Sequence, residues 1–414
     1  MDTKYKRLKY ACYSTNISMA VVGSLSPILF LTFRELYGIS YSLLGLLILI
    51  NFVTQLSIDL VFSFFSHKFN IPKVVALNPI LTIIGLIIYA LWPLIHPETT
   101  YVGLVVGTLF FSASSGFCEV LISPVIAAIP SKDPEHEMSK LHSVYAWGVV
   151  FIIIFGTLFL LLFGAENWHW LALIFALIPT ASFILYLGTD IPKMDTPERI
   201  SGAFALMKNK TLWICVFIIF FGGASEVAMA QWSSSFLEQS LGIPKVWGDI
   251  FGVALFSVML GTGRTLYSKI GKNITKVLLW GIIGATLCYF TVAICDLPIV
   301  GLIACALTGL CTSMLWPGSL IVASDRFPSG GVFLYAMMAA GGDLGASIAP
   351  QLIGVVTDAI ILNPLALEFA QTLHLSPEQM GMKLGMLVGM LFPLIAIPLY
   401  AYVHKTAKQN KDRD

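Results

Sequence analysis

The sequence predicts an all-α polytopic membrane protein, with twelve transmembrane helices in two pseudo-symmetric bundles of six. Three observations predict this class. Charged residues make up 11 % of the 414 residues, less than half of the roughly 25 % that is usual in soluble domains. Apolar runs long enough to cross a hydrocarbon core of about 30 Å as a helix recur from end to end. A Gly–Cys–Pro pattern in Gly116–Pro124 returns 193 residues later in Gly309–Pro317.

Other pieces of the two halves align at similar offsets. The turn after the first predicted helix reads YGIS (37–40), and the turn after the seventh reads LGIP (241–244). The loop after the second helix reads SHKFNIPK (66–73), and the loop after the eighth reads YSKIGKNITK (267–276). Two copies with the same orientation imply two halves related by an axis along the membrane normal.

The apolar runs set the order of elements. One interior stretch of some twenty residues, 189–210, lacks apolar character and predicts a cytoplasmic linker between an N-terminal bundle (1–188) and a C-terminal bundle (211–414). The predicted helices cover 10–34, 41–66, 73–95, 101–129, 139–163 and 168–188 in the first half, and 211–238, 247–269, 274–295, 299–323, 331–358 and 380–403 in the second.

The basic residues predict the topology. With the N-terminus inside, 20 of the 24 Lys and Arg residues fall on the cytoplasmic side, as the positive-inside rule requires. We therefore expect a multi-pass protein of the cell (inner or plasma) membrane with both termini in the cytoplasm. The first apolar run is too long for a signal-peptide core and predicts an uncleaved helix.

Composition also limits the partners. The seven cysteines have no CxxC spacing and are interpreted as small buried hydrophobic residues. Glu135–His136–Glu137 lacks the HExxH spacing of a zinc site. A net charge of +1 gives no reason to expect nucleic acid. We expect no cofactor and no metal; the expected partners are a small solute, protons and the lipid bilayer, and the chain is expected to be a monomer.

Ionisable residues inside the predicted helices are few. A charge at mid-bilayer costs about 2.5–3.5 kcal/mol on insertion scales, so such groups should face protein or a wet cavity. Predicted helices 3, 6, 9 and 12 have none in their interiors and are free to face lipid. The others hold Asp59, Glu119, His142, Glu226, Arg264 and Asp343.

Position along the helices suggests roles for these groups. The three acidic residues nearest mid-bilayer, Glu119, Glu226 and Asp343, are candidates for proton coupling. His142 is interpreted as a helix-end histidine near water. Fixed pairs that lock helices together are the alternative for all of them. The candidates for cytoplasmic gating are Asp59, His67, Lys68, Arg264 and Lys269.

Amide and aromatic side chains predict a solute site. Glu226, Gln231 and Trp232 occur in FGGASEVAMAQWSSSF, at spacings that share a face only if the helix is broken. Gly222–Gly223 and Ser233–Ser235 therefore predict a break. Carboxylate, amide and indole groups together suit a hydroxylated solute, although any one aromatic can simply be packing. The candidate substrate-binding residues are Gln231, Trp232, Trp147, Asn51, Gln55 and Trp316.

With this layout the chain resembles the major facilitator superfamily over essentially its whole length. That superfamily carries a Gly-x-x-x-Asp-Arg-x-Gly-Arg-Arg signature between helices 2 and 3. Here the signature is degenerate, which puts the usual Asp-based gate in doubt. The corresponding residues are Ser63, His67, Lys68 and Asn70 in the first copy, and Arg264, Ser268, Lys269, Gly271 and Lys272 in the second.

Four phrases resemble permeases of the fucose–proton symporter-like branch. This resemblance implies transport of a sugar or similar polar solute by alternating access, with proton symport. A proton-coupled drug or metabolite exporter on the same fold is the alternative. The phrases are LHSVYAWG (141–148), GASEVAMAQW (223–232), GRTLYSKIGK (263–272) and GGDLGASIAP (341–350).

Other functional classes fit poorly. A primary pump needs a P-loop, but Asn273 follows Gly271–Lys272 and Leu266 stands where the first Gly should be. An intramembrane protease would need Gly-x-Gly-Asp, which Ala340 breaks before Gly341. A channel would not need titrating groups in both halves. We therefore predict that the protein is not an enzyme.

Overall fold

The computed structural model of the chain describes residues 5–65, 68–130, 134–192, 207–327 and 331–411. Within them, 12 helices are long and apolar enough to cross a membrane, which confirms the predicted fold class. The helices are α1 (Lys6–Tyr37), α2 (Tyr41–Phe65), α3 (Ile71–Ile95), α4 (Thr100–Ala128), α5 (Pro134–Phe163), α6 (Trp168–Phe175 and Leu177–Tyr186), α7 (Lys210–Leu241), α8 (Lys245–Trp247, a π-helical turn Gly248–Ala254, and Leu255–Ile270), α9 (Ile274–Ile294), α10 (Pro298–Thr312 and Leu315–Arg326), α11 (Gly331–Ile361) and α12 (Pro377–Lys411).

The chain packs as two compact units. Unit 1 comprises Met1–Gly38 and Ile50–Ile200, and unit 2 comprises Ile39–Leu49 and Ser201–Asp414. The start of α2 thus packs within unit 2, while the remainder of α2 packs within unit 1. Residues 193–206 of the predicted linker lie outside the described residues, so the linker remains a prediction.

The same helix pairs pack in both units. In unit 1, α1 lies against α5 and α6, and α3 lies against α4 and α6. In unit 2, α7 lies against α11 and α12, and α9 lies against α10 and α12. The repeat seen in the sequence is therefore also a repeat of packing.

The aligned loops of the two halves cap their helices in the same way. Gly38 and Gly242 follow α1 and α7 with φ of 65° and 64°, the left-handed conformation that glycine adopts at low cost. The Asn70 side chain accepts from the Lys73 backbone N–H at 3.2 Å, and the Asn273 side chain accepts from that of Lys276 at 3.1 Å. Each asparagine satisfies a donor that the first helical turn leaves unpaired.

The predicted break in α7 is wrong, because α7 runs without interruption through Lys210–Leu241. Gly222 and Gly223 serve packing instead. A Cβ at Gly223 would lie 2.7 Å from the Gly342 carbonyl oxygen, so glycine there lets α11 approach α7. In an intact helix, Glu226 and Gln231 project about 140° apart, and they do not form one face as the predicted break would have allowed.

The interruption falls in α10 instead, between Thr312 and Leu315. Proline lacks a backbone N–H, so Pro317 cannot donate to the Ser313 carbonyl four residues earlier. Pro124 holds the matching position in α4, yet α4 is continuous through it. The same residue therefore has different structural effects in the two units.

Candidate functional site

One face of α2 in unit 1 is polar. Asn51, Gln55 and Asp59 are spaced four residues apart, which places them on a common face of the helix. All three are buried, with exposed fractions of 9 %, 6 % and 2 %. The Ser112 hydroxyl on α4 donates to the Asn51 Oδ1 at 2.5 Å. This face of α2 is therefore turned toward α4.

A glycine on α4 brings a second carboxylate to this face. A Cβ at Gly116 would lie 2.9 Å from the Ile58 Cβ and 3.1 Å from the Gln55 carbonyl oxygen, so α2 and α4 touch there. Glu119 is one turn beyond Gly116. A carboxylate oxygen of Glu119 and one of Asp59 lie within 4.8 Å of each other. Residues predicted to serve proton coupling and gating separately thus form a carboxylate pair.

Unit 2 carries a carboxylate beside a guanidinium. The Arg264 Nη2 on α8 lies 3.4 Å from the Glu226 Oε1 on α7, which is longer than the 2.7–2.9 Å of a tight charge-assisted bond. The Arg264 Nε also donates to the Ser313 carbonyl at 3.1 Å. Pro317 leaves that carbonyl without its helical partner, so Arg264 joins the interruption in α10 to Glu226.

The two carboxylate oxygens of Glu226 differ in their contacts: Oε1 lies near Arg264, and Oε2 does not share that contact. Its Oε2 is buried, and no described residue donates a hydrogen bond to it. An unsatisfied buried carboxylate oxygen is costly, and a bound proton or a donor from a solute would satisfy it. Glu226 therefore keeps one buried acceptor oxygen that no described residue uses.

Asp343 lies where α11 packs tightly on α7. It is buried, with 3 % of its surface exposed. Its neighbour Gly342 has no room for a side chain, because a Cβ there would overlap the Trp316 indole ring. Gly345 faces the Phe220 carbonyl just as closely. Both glycines therefore allow a close approach of helices, and Trp316 itself is half-buried against them.

The remaining candidate solute-binding residues differ in burial. Gln231 is buried with an exposed fraction of 9 %, and Trp232 is fully buried. The Trp232 indole N–H donates to the Pro350 carbonyl at 2.9 Å, so this donor is already used within unit 2. Trp147 on α5 is 70 % exposed.

The predicted cytoplasmic gate is only partly described. His67 and the side chain of His142 lie outside the described residues. Lys68 is exposed, with its Nζ 5.0 Å from the centre of the Phe65 ring. Lys269 is also exposed. Among the gating candidates that the structure describes, Asp59 lies beside Glu119 and Arg264 lies beside Glu226.

Two further carboxylates of unit 2, which no sequence pattern above singled out, are buried or cap a helix. Asp249 is 1 % exposed and pairs with Lys245 at 2.8 Å; the four-residue spacing of opposite charges was a usable signal. Asp358 accepts from the backbone N–H groups of Tyr41 and Ser42, at 3.1 and 2.6 Å. No local sequence pattern indicates the contacts of Asp358, since more than 300 residues separate it from Tyr41 and Ser42.

A protein-family model matches most of the chain. The model of the Major Facilitator Superfamily matches residues 11–350. The chain belongs to this superfamily. The predicted resemblance is confirmed, and membership indicates a multi-pass membrane transporter rather than an enzyme. No curated relative matches the sequence.

Solved structures share the fold at low identity. A D-xylose–proton symporter has a TM-score of 0.74 at 12 % identity, covering 96 % of this chain and 97 % of that one. A bacterial homologue of the human lysosomal transporter Spinster, in an inward-facing, occupied conformation, has a TM-score of 0.71 at 14 % identity, covering 98 % of each chain. The E. coli fucose:proton symporter FucP has a TM-score of 0.58 at 15 % identity, covering 95 % of this chain and 99 % of that one. Identities this low show a common fold alone.

Proposed function

We propose that this superfamily member is a secondary active transporter that moves a small polar solute, a sugar or sugar-like molecule, together with a proton. The observation that carries the proposal is the environment of Glu226. Its Oε1 has a loose contact of 3.4 Å with Arg264, and its buried Oε2 has no donor among the described residues. A carboxylate in this setting can exchange a proton without first breaking a tight ion pair.

The proton and Arg264 compete for Glu226. A charged carboxylate attracts the guanidinium, whereas a protonated one holds it only through a weaker neutral hydrogen bond. Arg264 then keeps its bond to the Ser313 carbonyl, at the interruption in α10. Proton binding therefore changes how firmly α7 is tied to α8 and α10, which is the kind of change that alternating access requires.

The carboxylate pair of unit 1 supports the same reading. Asp59 and Glu119 repel each other when both are charged, because their oxygens lie within 4.8 Å. A shared cation relieves that repulsion, and the proton is the cation that we propose. The buried amides Asn51 and Gln55 on the same face of α2 supply donors and acceptors for solute hydroxyls.

The membrane and the oligomeric state are also part of the proposal. We place the transporter in the cell membrane with both termini in the cytoplasm, on the basis of the charge bias in the loops. We also propose that it acts as a monomer.

The test is solute-driven proton movement in proteoliposomes. Purified protein is reconstituted with a trapped pH dye, and D-xylose, L-fucose and related sugars are added outside. We expect at least one sugar to acidify the lumen and to show counterflow. The Glu226→Gln variant should keep counterflow and lose the pH change, whereas Glu98→Gln, at an exposed turn, should behave as the parent protein.

Two results would contradict the proposal. Solute-linked proton movement that persists in Glu226→Gln would remove Glu226 from coupling. Exchange of a lipophilic cation such as tetraphenylphosphonium for protons, with no response to any sugar, would favour the alternative, a proton-coupled exporter on the same fold.

A further inference from the structure

A surface groove in unit 2 lies outside the site described above. It has a volume of about 380 Å³ and runs between α9 and α10. Most of its walls are apolar, and one end carries a lysine. The residues that matter here are Lys276, Trp280 and Gly281 on α9, and Cys311, Ser313 and Met314 on α10.

Helix packing explains why a groove forms here. At Gly281, α9 comes so close to α10 that a Cβ would lie 2.5 Å from the Cys311 carbonyl oxygen. Just beyond, α10 is interrupted at Ser313 and Met314, and both residues line the groove. The matching position in unit 1 is Asn78, whose amide bonds α4 through the Ser114 carbonyl at 3.1 Å. In unit 2 the corresponding residue, Gly281, has no side chain that could form such a bond.

The charged end of the groove is at the predicted cytoplasmic surface. Lys276 belongs to the first turn of α9 and is exposed, and within the described chain no carboxylate pairs with it. Lys269 and Lys272 are exposed just before it in sequence. The cytoplasmic leaflet is the anionic one, and a basic side chain near its surface gains about 1 kcal/mol from it.

An apolar track continues from the groove along α9. Trp280, Leu287, Phe290 and Ile294 are exposed by 63 %, 61 %, 46 % and 54 %. Their spacings of seven, three and four residues place them on one helical face. The track is about 21 Å long, well over half of a hydrocarbon core of about 30 Å. Trp280 lies nearest the charged end, as expected of an interfacial tryptophan.

We propose that this groove binds one anionic phospholipid of the cytoplasmic leaflet. The headgroup phosphate binds the Lys276 ammonium, and an acyl chain lies past Trp280 and Gly281 along the face of α9. A lysine at one end of an apolar groove matches the charge and the apolar length of such a lipid. Ser313 and Met314 form the far wall, so the lipid rests on the same turn of α10 that accepts from Arg264.

The test uses the full-length protein in phosphatidylcholine nanodiscs, with lipids brominated on the acyl chain as quenchers. The fluorescence of Trp280 is the difference between the parent protein and Trp280→Phe. We expect brominated phosphatidylglycerol to quench it at a lower mole fraction than brominated phosphatidylcholine. In Lys276→Gln the half-quenching mole fraction of phosphatidylglycerol should rise about fivefold.

Lys272→Gln is the matched control, because it removes a nearby lysine that does not line the groove. Because Lys272 does not line the groove, this variant should change the half-quenching mole fraction much less than Lys276→Gln does. The melting temperatures of all variants in pure phosphatidylcholine should agree, which separates binding from misfolding. Equal quenching by the two lipids, or equal effects of the two lysine variants, would overturn the proposal. The readout involves no solute and no proton, so it stands apart from the transport assay.

Discussion

The two units share a packing frame and differ in the charges they place on it. In both, a glycine of the repeated motif presses against the neighbouring helix: Gly116 against α2 and Gly309 against the Phe256 carbonyl of α8. In both, a buried tyrosine of the sixth helix bonds the first: the Tyr186 hydroxyl contacts α1, and the Tyr400 hydroxyl donates to the Ile218 carbonyl of α7 at 2.7 Å.

The charges do not repeat. Unit 1 pairs two carboxylates, Asp59 and Glu119, whereas unit 2 pairs the Glu226 carboxylate with the Arg264 guanidinium. Thr312 aligns with Glu119, and Ser63 aligns with Arg264. The residues that repeat set helix spacing, while the residues that differ carry the ionisable chemistry. The asymmetry of charge is therefore where function is to be sought.

The largest expected effect comes from removing one carboxylate from each pair. Glu226→Gln should lower proton-driven uptake roughly 10- to 100-fold, the equivalent of losing a charged hydrogen bond of about 1.5–3 kcal/mol. Glu119→Gln should lower it less, because Asp59 remains within 4.8 Å to bind the proton. Uptake of labelled solute under an imposed pH gradient measures both.

The double variant Asp59→Asn/Glu119→Gln sharpens this contrast. It should match Glu226→Gln, because no carboxylate of the unit 1 pair is then left. If Glu119→Gln and the double variant lose uptake equally, Asp59 cannot replace Glu119. Glu119 alone would then bind the proton in unit 1.

The next effect tests the repeated glycines. Gly309→Ala should destabilise by about 3 kcal/mol, because its methyl group would overlap the rigid Phe256 carbonyl. Gly116→Ala should cost about 1 kcal/mol, since its nearest atom, at 2.9 Å, is a side-chain carbon of Ile58. Thermal unfolding in detergent gives the difference. The reverse order would contradict the view that the Phe256 carbonyl is the more rigid of the two neighbours.

The repeated prolines should give a smaller effect that differs in kind. In Pro317→Ala a new backbone N–H competes with Arg264 for the Ser313 carbonyl, so α10 should gain stability of about 1 kcal/mol or less while uptake falls. In Pro124→Ala we expect little loss of uptake, because no arginine is aligned with Arg264 on α2. Unchanged uptake in Pro317→Ala would show that the Arg264–Ser313 bond has no part in transport.

The smallest effect concerns the Lys9–Glu137 ion pair between α1 and α5 of unit 1. The Lys9 ammonium, 2.9 Å from Glu137, and the Tyr13 hydroxyl, 3.0 Å from it, lower the pKa of the Glu137 carboxyl. A lowered pKa means that the unfolded chain binds the proton more tightly than the native state does. The pair therefore stabilises unit 1 above pH about 4.3, and its contribution is lost as the pH falls through the native value.

Glu137→Gln should accordingly lower stability by about 1 kcal/mol near neutral pH and by nothing measurable at low pH. Unit 2 supplies a control without a titrating acceptor, since Arg326 donates to the Thr406 hydroxyl at 2.8 Å. Thr406→Val should show a loss that does not vary with pH over the same range. Thermal unfolding between pH 3.5 and 7 distinguishes the two variants.

The local chemistry of the chain was sufficient to predict the membrane helices and their repeat. Hydrocarbon demands long apolar helices, and cap residues such as Gly38 and Asn70 mark the helix ends from within a few residues. The identity of the ionisable residues was also readable, because charges in apolar runs are rare. These features depend on neighbours in sequence, and a single sequence contains them.

Only tertiary structure decided which of those groups meet. The break expected in α7 is found in α10 instead, because Gly223 is needed for contact with α11 and because Arg264 satisfies the carbonyl that Pro317 leaves unpaired. Likewise Asp59 lies beside Glu119 because Gly116 lets two helices touch. Such pairings depend on distances between residues far apart in the chain, and periodicity along one helix carries no record of them.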